Sequence, residues 1–156
     1  NVEPGTVRRL MDIENIVAIK EEAGINPVQS TQLINLARGR DDFVIIDGDD
    51  MMAFPLVAQG AVAIVSGGAQ IVGAQLKQMV AACKRGEMIT ARDLFLDMFP
   101  IFEAFGGKGR INPIPGVRRG IQLCGLEIGE ARRPLVPFDV DETENLHREL
   151  SRLGIL

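Results

Sequence analysis

Three short apolar runs, each ending in a charged or glycine-containing turn and each followed by a helix-length segment, limit what this 156-residue chain can fold into. Ile16-Val17-Ala18-Ile19 ends in Lys20, Phe43-Val44-Ile45-Ile46 ends in Asp47-Gly48-Asp49-Asp50, and Ala61-Val62-Ala63-Ile64-Val65 ends in Ser66-Gly67-Gly68. Each run is apolar at successive positions and too short for a helix, the pattern of a parallel strand covered on both faces. Pro4 opens a short helix that ends near Asp12, and the segment Pro27 to Arg38 reads as a helix closed by Gly39. Asp50 is the expected N-cap of a helix from Met51 to Gln59 that stops at Gly60, and a longer helix is expected from Ile71 to Lys84. Helices and strands alternating across short connections mark repeated βα units around a parallel sheet, so the fold class is α/β.

Beyond Gly86 the strands stop. Residues 87–105, 115–125 and 142–153 carry helical patterns, separated by the stiff connectors Asn112-Pro113-Ile114-Pro115 and Arg133-Pro134-Leu135-Val136-Pro137. The expected organisation is therefore βα units over 1–86 and a helical extension over 87–156, packed on the same domain. With 46% hydrophobic and 24% charged residues, the chain has the profile of an ordered globular domain. A net charge of -4 and a pI near 5.1 argue against a nucleic-acid surface, which needs clustered Lys and Arg. The doublets Arg8-Arg9, Arg118-Arg119 and Arg132-Arg133 sit among acidic neighbours, as solvated or salt-bridged side chains do. The apolar stretches are strand-sized, shorter than the ~18 residues of a membrane span, and no basic-then-apolar leader opens the sequence. Cys83 and Cys124 lack metal or redox spacing and are expected to be buried thiols in a reducing, cytoplasmic setting. His147 lies in a charged terminal helix and is expected to be solvated, leaving no obvious histidine or tyrosine acid-base machinery.

Lys20 is the strongest candidate for chemistry. An ammonium at the carboxyl end of an apolar strand is costly to bury, and desolvation favours the neutral amine that attacks a carbonyl. Reactive groups in parallel α/β folds collect at that end of the sheet. The competing reading is a lysine that reaches into solvent or pairs with Glu21 or Glu22. Gly48 and Gly67-Gly68 follow the other two runs at the equivalent end, where glycine admits a ligand close to the backbone or simply makes the turn. Asp47, Asp49 and Asp50 suggest a divalent-cation site only weakly, because one short loop rarely completes a coordination shell. No phosphate-loop spacing is present.

Taken in order, several segments resemble the second half of the dihydrodipicolinate synthase and N-acetylneuraminate lyase family. Asn1 to Val7 is similar to the stretch opening the helix before the lysine strand. Ile16 to Glu21 resembles the family's "IxGIKE" strand, with Ala18 at the glycine position. Val44 to Asp50 is similar to its "xVxSGDD" strand and turn. Gly60 to Gln70 looks like "GAxGxISxxAN", with Gln70 where asparagine is usual. Asn112 to Pro115 matches "NPIP" and Leu135-Val136-Pro137 looks like "LPLxP".

The resemblance implies part of a (β/α)8 barrel with a helical C-terminal extension. It also implies a pyruvate-dependent class I lyase in which Lys20 forms the imine. Gly48 would contact the keto acid near the lysine, Val65 would line the pyruvate pocket, and Ser66 would sit beside it. No cofactor or metal is implied; the partners would be pyruvate, an aldehyde, and a second copy of the chain or the missing barrel half. The family's glycine-threonine-threonine loop and proton-shuttling tyrosine belong to the stretch before the point where this sequence begins, so the chain alone is expected to be a poor catalyst. Related aldolases of 2-keto-3-deoxy sugar acids or 4-hydroxy-2-oxoglutarate, and a non-catalytic half-barrel, are the alternatives.

Overall fold

The computed structural model describes residues 1–22, 24–109 and 112–156. Helix α1 (Pro4–Leu10) leads to strand β1 (Ala18–Glu21), then α2 (Pro27–Ala37), β2 (Val44–Asp47), a single 3-10 turn (Asp50–Met52), α3 (Ala53–Gln59), β3 (Ala63–Ile64) and α4 (Ala69–Lys84). Helices α5 (Met88–Gly106), α6 (Ile114–Leu123) and α7 (Val140–Arg152) follow. The three strands form one parallel sheet, as the alternating pattern implies, and the order is β1-β2-β3. No described helix is long and apolar enough to cross a membrane.

Contacts divide the chain into two compact units, residues 1–66 with 80–88, and residues 67–79 with 89–156, so the division passes through α4. In the first unit, register decides which side chains share a face. Ala18 pairs with Val44, Ile19 with Ile45, Lys20 with Ile46 and Glu21 with Asp47, while Ile46 and Asp47 pair with Ala63 and Ile64. Side chains alternate along a strand, so Ile19, Glu21, Ile45, Asp47 and Ile64 share one face and Ala18, Lys20, Val44, Ile46 and Ala63 share the other. Helices pack on the first of these. Val7, Met11, Leu33, Phe43 and Ile45 form one buried cluster there, and Leu56, Val57 and Ala61 form a second with Ile64 against it. The Lys20 face contains no fully buried residue.

Several boundaries differ from the sequence expectation. β1 and β2 run one or two residues later than their apolar runs, because pairing extends through Lys20–Ile46 to Glu21–Asp47. Lys20 therefore lies inside its strand and does not terminate it. Asp50 is not the N-cap: Asp49 fills that role, its Oδ1 accepting the Met51 N–H at 2.9 Å, and a 3-10 turn precedes α3. The ladder extends beyond β3 on both sides through Val62 N–H to Ile45 O and Val65 N–H to Asp47 O. Helix α2 ends at Ala37, one residue short of the expected Arg38, which is extended; Gly39, whose φ of 82° is the left-handed conformation that glycine adopts without strain, completes the turn that follows.

The second unit is helical among the described residues. α5 buries Phe95, Phe102 and Phe105, with ring centroids 6.4 Å apart along the series. Gly116 lets α6 approach α5 closely, since a Cβ there would stand 2.3 Å from the Phe105 carbonyl oxygen. Arg119 pairs with Glu130 and Arg118 donates to the Ile128 and Gly129 carbonyls, so this doublet ties down a loop. Neither cysteine is fully buried: Cys83 is half-buried, and Cys124 is exposed because it lies past the last turn of α6, at its C-cap. His147 is exposed on α7, as its charged setting implies.

Candidate active site

Lys20 projects from the half-buried face of β1 and its side chain is 47% exposed, with Nζ 3.3 Å from Glu22 Oε2. The desolvation expected from its apolar strand is therefore absent in this chain. Alternation sends Glu21, not Lys20, toward the helices, and the face that the lysine shares is not closed. Glu21 is the buried neighbour, its Oε1 accepting from Ser30 Oγ at 3.2 Å. Of the two pairing partners considered from sequence, Glu22 is the one that meets the ammonium.

Gly48 lies directly against this lysine. A Cβ at position 48 would fall 2.2 Å from Lys20 Cε, 3.1 Å from Nζ and 3.0 Å from the Glu21 carbonyl oxygen, so only glycine fits without displacing the amine. Two amides hold the turn. The Gly48 N–H donates to Glu21 O at 2.7 Å, and the Asp49 N–H donates to Asp47 Oδ1 at 3.1 Å. Gly24, in the loop after β1, meets the same turn from another side, because a Cβ there would lie 1.8 Å from Asp49 Oδ2.

Val65 continues the alternation of β3 onto the Lys20 face, is 54% exposed, and donates its N–H to Asp47 O at 2.8 Å. The Ser66 hydroxyl donates to Asp50 Oδ1, which joins the turn after β3 to the turn after β2. Lys20, Gly48, Val65 and Ser66 thus all lie at the carboxyl end of one parallel sheet. Gly67 and Gly68 open the second unit, where the Gly68 carbonyl accepts the N–H groups of Ile71 and Val72 at the start of α4. Beside β1, a cleft of about 200 Å³ is lined by Lys20, Glu22, Ile25, Asn26 and Gln29 among others. Among the described residues no group of three or more His, Cys, Asp or Glu side chains could hold a metal ion, and the aspartates after β2 are engaged in capping and turn bonds instead.

In the sequence Asp47 is one of three turn aspartates, with nothing in its residue type to set it apart. The structure buries it completely on the helix-packed face, leaves Oδ2 without a hydrogen-bond partner, and raises its pKa to about 7, chiefly by desolvation. The available signal was its spacing: Asp47 stands two residues after the core residue Ile45, which puts both on one face of a strand.

A model of the dihydrodipicolinate synthetase family matches residues 1–153. The 4-hydroxy-tetrahydrodipicolinate synthase of Nostoc punctiforme is 38% identical over 156 residues, covering 100% of this chain and 51% of that protein. That of Desulforamulus reducens is 39% identical, again over 100% and 51% of the two lengths. The dihydrodipicolinate synthase of Thermotoga maritima superposes with a TM-score of 0.89 at 30% identity, over 100% of this chain and 52% of its own. The enzyme of Acinetobacter baumannii, described as complexed with pyruvate, gives 0.87 at 27% identity over the same shares. The chain spans about half the length of the relatives it matches. Its three parallel strands and their helices are part of the (β/α)8 architecture of these enzymes, and on the family match over 1–153 the chain belongs to the dihydrodipicolinate synthetase family.

Proposed function

We propose that this chain carries the lysine-bearing part of a pyruvate-dependent Schiff-base lyase of the dihydrodipicolinate synthase type. The observation that carries the reading is the contact between Lys20 and Gly48: a primary amine at the carboxyl end of a parallel strand, lying on a turn that leaves no room for a side chain. In such a site the neutral Lys20 amine adds to the ketone carbon of pyruvate, and the carbinolamine loses water to give an iminium. The iminium withdraws electrons from the adjacent methyl group, which loses a proton to form an enamine. The enamine carbon attacks an aldehyde, and hydrolysis of the new imine releases the product and restores the amine. The protonated imine is itself the electron sink, so these steps call for no metal or organic cofactor.

Val65 and Ser66 form the neighbouring wall in this reading, and Gly48 meets the keto acid beside the amine. Three strands do not close a barrel of eight, and the lysine face is only half-buried, so activity requires the remaining strands from a longer chain or a second one. Closure would remove water from Lys20 and favour its neutral form. The setting is proposed to be the cytoplasm, where pyruvate is available.

Borohydride reduction in the presence of pyruvate tests the reading, with the chain assembled with a polypeptide supplying the remaining barrel strands. A stable adduct mapped to Lys20 by peptide mass spectrometry, and absent in Lys20→Ala, is the expected result. If Lys20 stays unmodified in that assembly, the chain is a non-catalytic half-barrel. An adduct together with turnover of a 2-keto-3-deoxy sugar acid would instead place it among the related aldolases.

A further inference from the structure

Asp47 occupies an unusual place for a carboxyl group. It is fully buried on the helix-packed face of the sheet, one residue before the glycine on which Lys20 lies. Its Oδ1 accepts the Asp49 N–H at 3.1 Å, so its side chain spans the turn and holds the amide on the far side of Gly48. On the near side, the Gly48 N–H is held by the Glu21 carbonyl of β1. The glycine is pinned between these two bonds, one from backbone and one from the Asp47 carboxyl.

We propose that Asp47 is a positioning residue for Lys20, its carboxyl clamping the Gly48 turn from behind the sheet and so fixing where the lysine amine lies. The inference rests on the reading of Lys20 as the reactive amine. The surroundings favour a neutral carboxyl. Glu21 is its register partner on β1, and Asp49 and Asp50 follow in its own turn, all acidic. β3 contributes Ile64, and α2 and α3 contain no ionisable residue. Lys20 projects from the opposite face, and Asp47 Oδ2 accepts no hydrogen bond. Burial among acids holds the pKa near 7, so the group keeps its proton where exposed carboxylates have lost theirs. Above that range an ionised Asp47 would bind the turn amides more tightly but sit buried without a counter-ion, so the turn that carries Gly48 would change as the group titrates.

The test uses Asp47→Asn, which keeps an oxygen acceptor and cannot ionise, and Asp47→Ala, which removes the acceptor, both in the assembled form used for adduct trapping. Pyruvate trapping and acylation of Lys20 by acetic anhydride are followed against pH, and the carboxyl carbon of Asp47 is titrated by 13C NMR. Expected are a carboxyl titrating near 7, and Asp47→Asn rates within about twofold of the parent at pH 6 without the parent's inflection near neutrality. Asp47→Ala is expected to slow trapping by about tenfold or more, the scale of effect that small misplacement of a reacting group produces. The proposal is overturned if Asp47→Ala matches the parent, if Asp47→Asn is as impaired as Asp47→Ala, or if the carboxyl titrates near 4. Should Asp47→Ala fail to fold, the titration and Asp47→Asn decide. A parent that acylates at Lys20 but never traps pyruvate would sink the lyase reading while the titration and the acylation rates still decide the clamp.

Discussion

A methyl group added at position 48 would have to share space with Lys20 Cε, 2.2 Å away, and with a backbone oxygen at 3.0 Å. The nearer neighbour is the flexible end of a side chain, so the lysine would move before the sheet did. Gly48→Ala is therefore expected to leave the thermal midpoint within a few degrees of the parent and to slow adduct formation at Lys20 by about tenfold or more; equal trapping rates would show that the contact does not matter. Asp47 contributes a pH dependence whose sign follows from its raised folded-state pKa. The unfolded carboxyl ionises near its ordinary 3.8 and the folded one near 7, so between these values the folded chain binds more protons and its stability falls as pH rises. The penalty is absent below about pH 4 and complete above about pH 7. Asp47→Asn should remove it, gaining up to about 4 kcal/mol on the parent across that window in urea denaturation. A gap that stays flat with pH would refute the assignment. Lys20 is legible in the sequence as a lone cation at the tip of an apolar run, whereas Asp47 is hidden among its turn neighbours because only register separates a fully buried aspartate from two half-buried ones.

At the scale of elements, local signals placed the helices well and the strands approximately. Gly60 caps α3 with positive φ, Gly39 makes the turn just after α2 in the same way, and prolines open α1, α2 and α6. The strands were harder to bound, because β1 and β2 include the polar residues Lys20, Glu21 and Asp47 that an apolar run leaves out. Partner strands fix those ends through hydrogen bonds that composition does not reveal. Helix α7 carries a capping box in which Asp139 Oδ1 accepts the Glu142 N–H and Glu142 Oε2 accepts the Asp139 N–H, each at 3.0 Å. Glu142 Oε1 also accepts the Lys108 N–H at 2.8 Å, which ties the cap to the end of α5. Asp139→Ala should cost about 1 kcal/mol by chemical denaturation and leave Lys20 chemistry unchanged. A cost near zero would mean that water replaces the cap.

For the whole molecule, the decisive quantity is the number of strands. Among the described residues β1 and β3 each pair on one side only, so the sheet has two edges and a half-buried face. Unpaired edges invite strand addition, and the chain is expected to associate at micromolar concentration when studied alone. Light scattering coupled to size exclusion would report the mass, and a monomer at every concentration would refute the expectation. The sequence by itself determined the α/β class, the three parallel strands with their helices and, to within two residues, where each strand lies, because apolar runs and glycine stops are local and each is written within a few neighbouring positions. Only the tertiary structure decided that Lys20 remains half in solvent while Glu21 and Asp47 are buried. The face to which a side chain turns depends on strand register and on what packs behind the sheet, and neither is encoded within the strand that carries it.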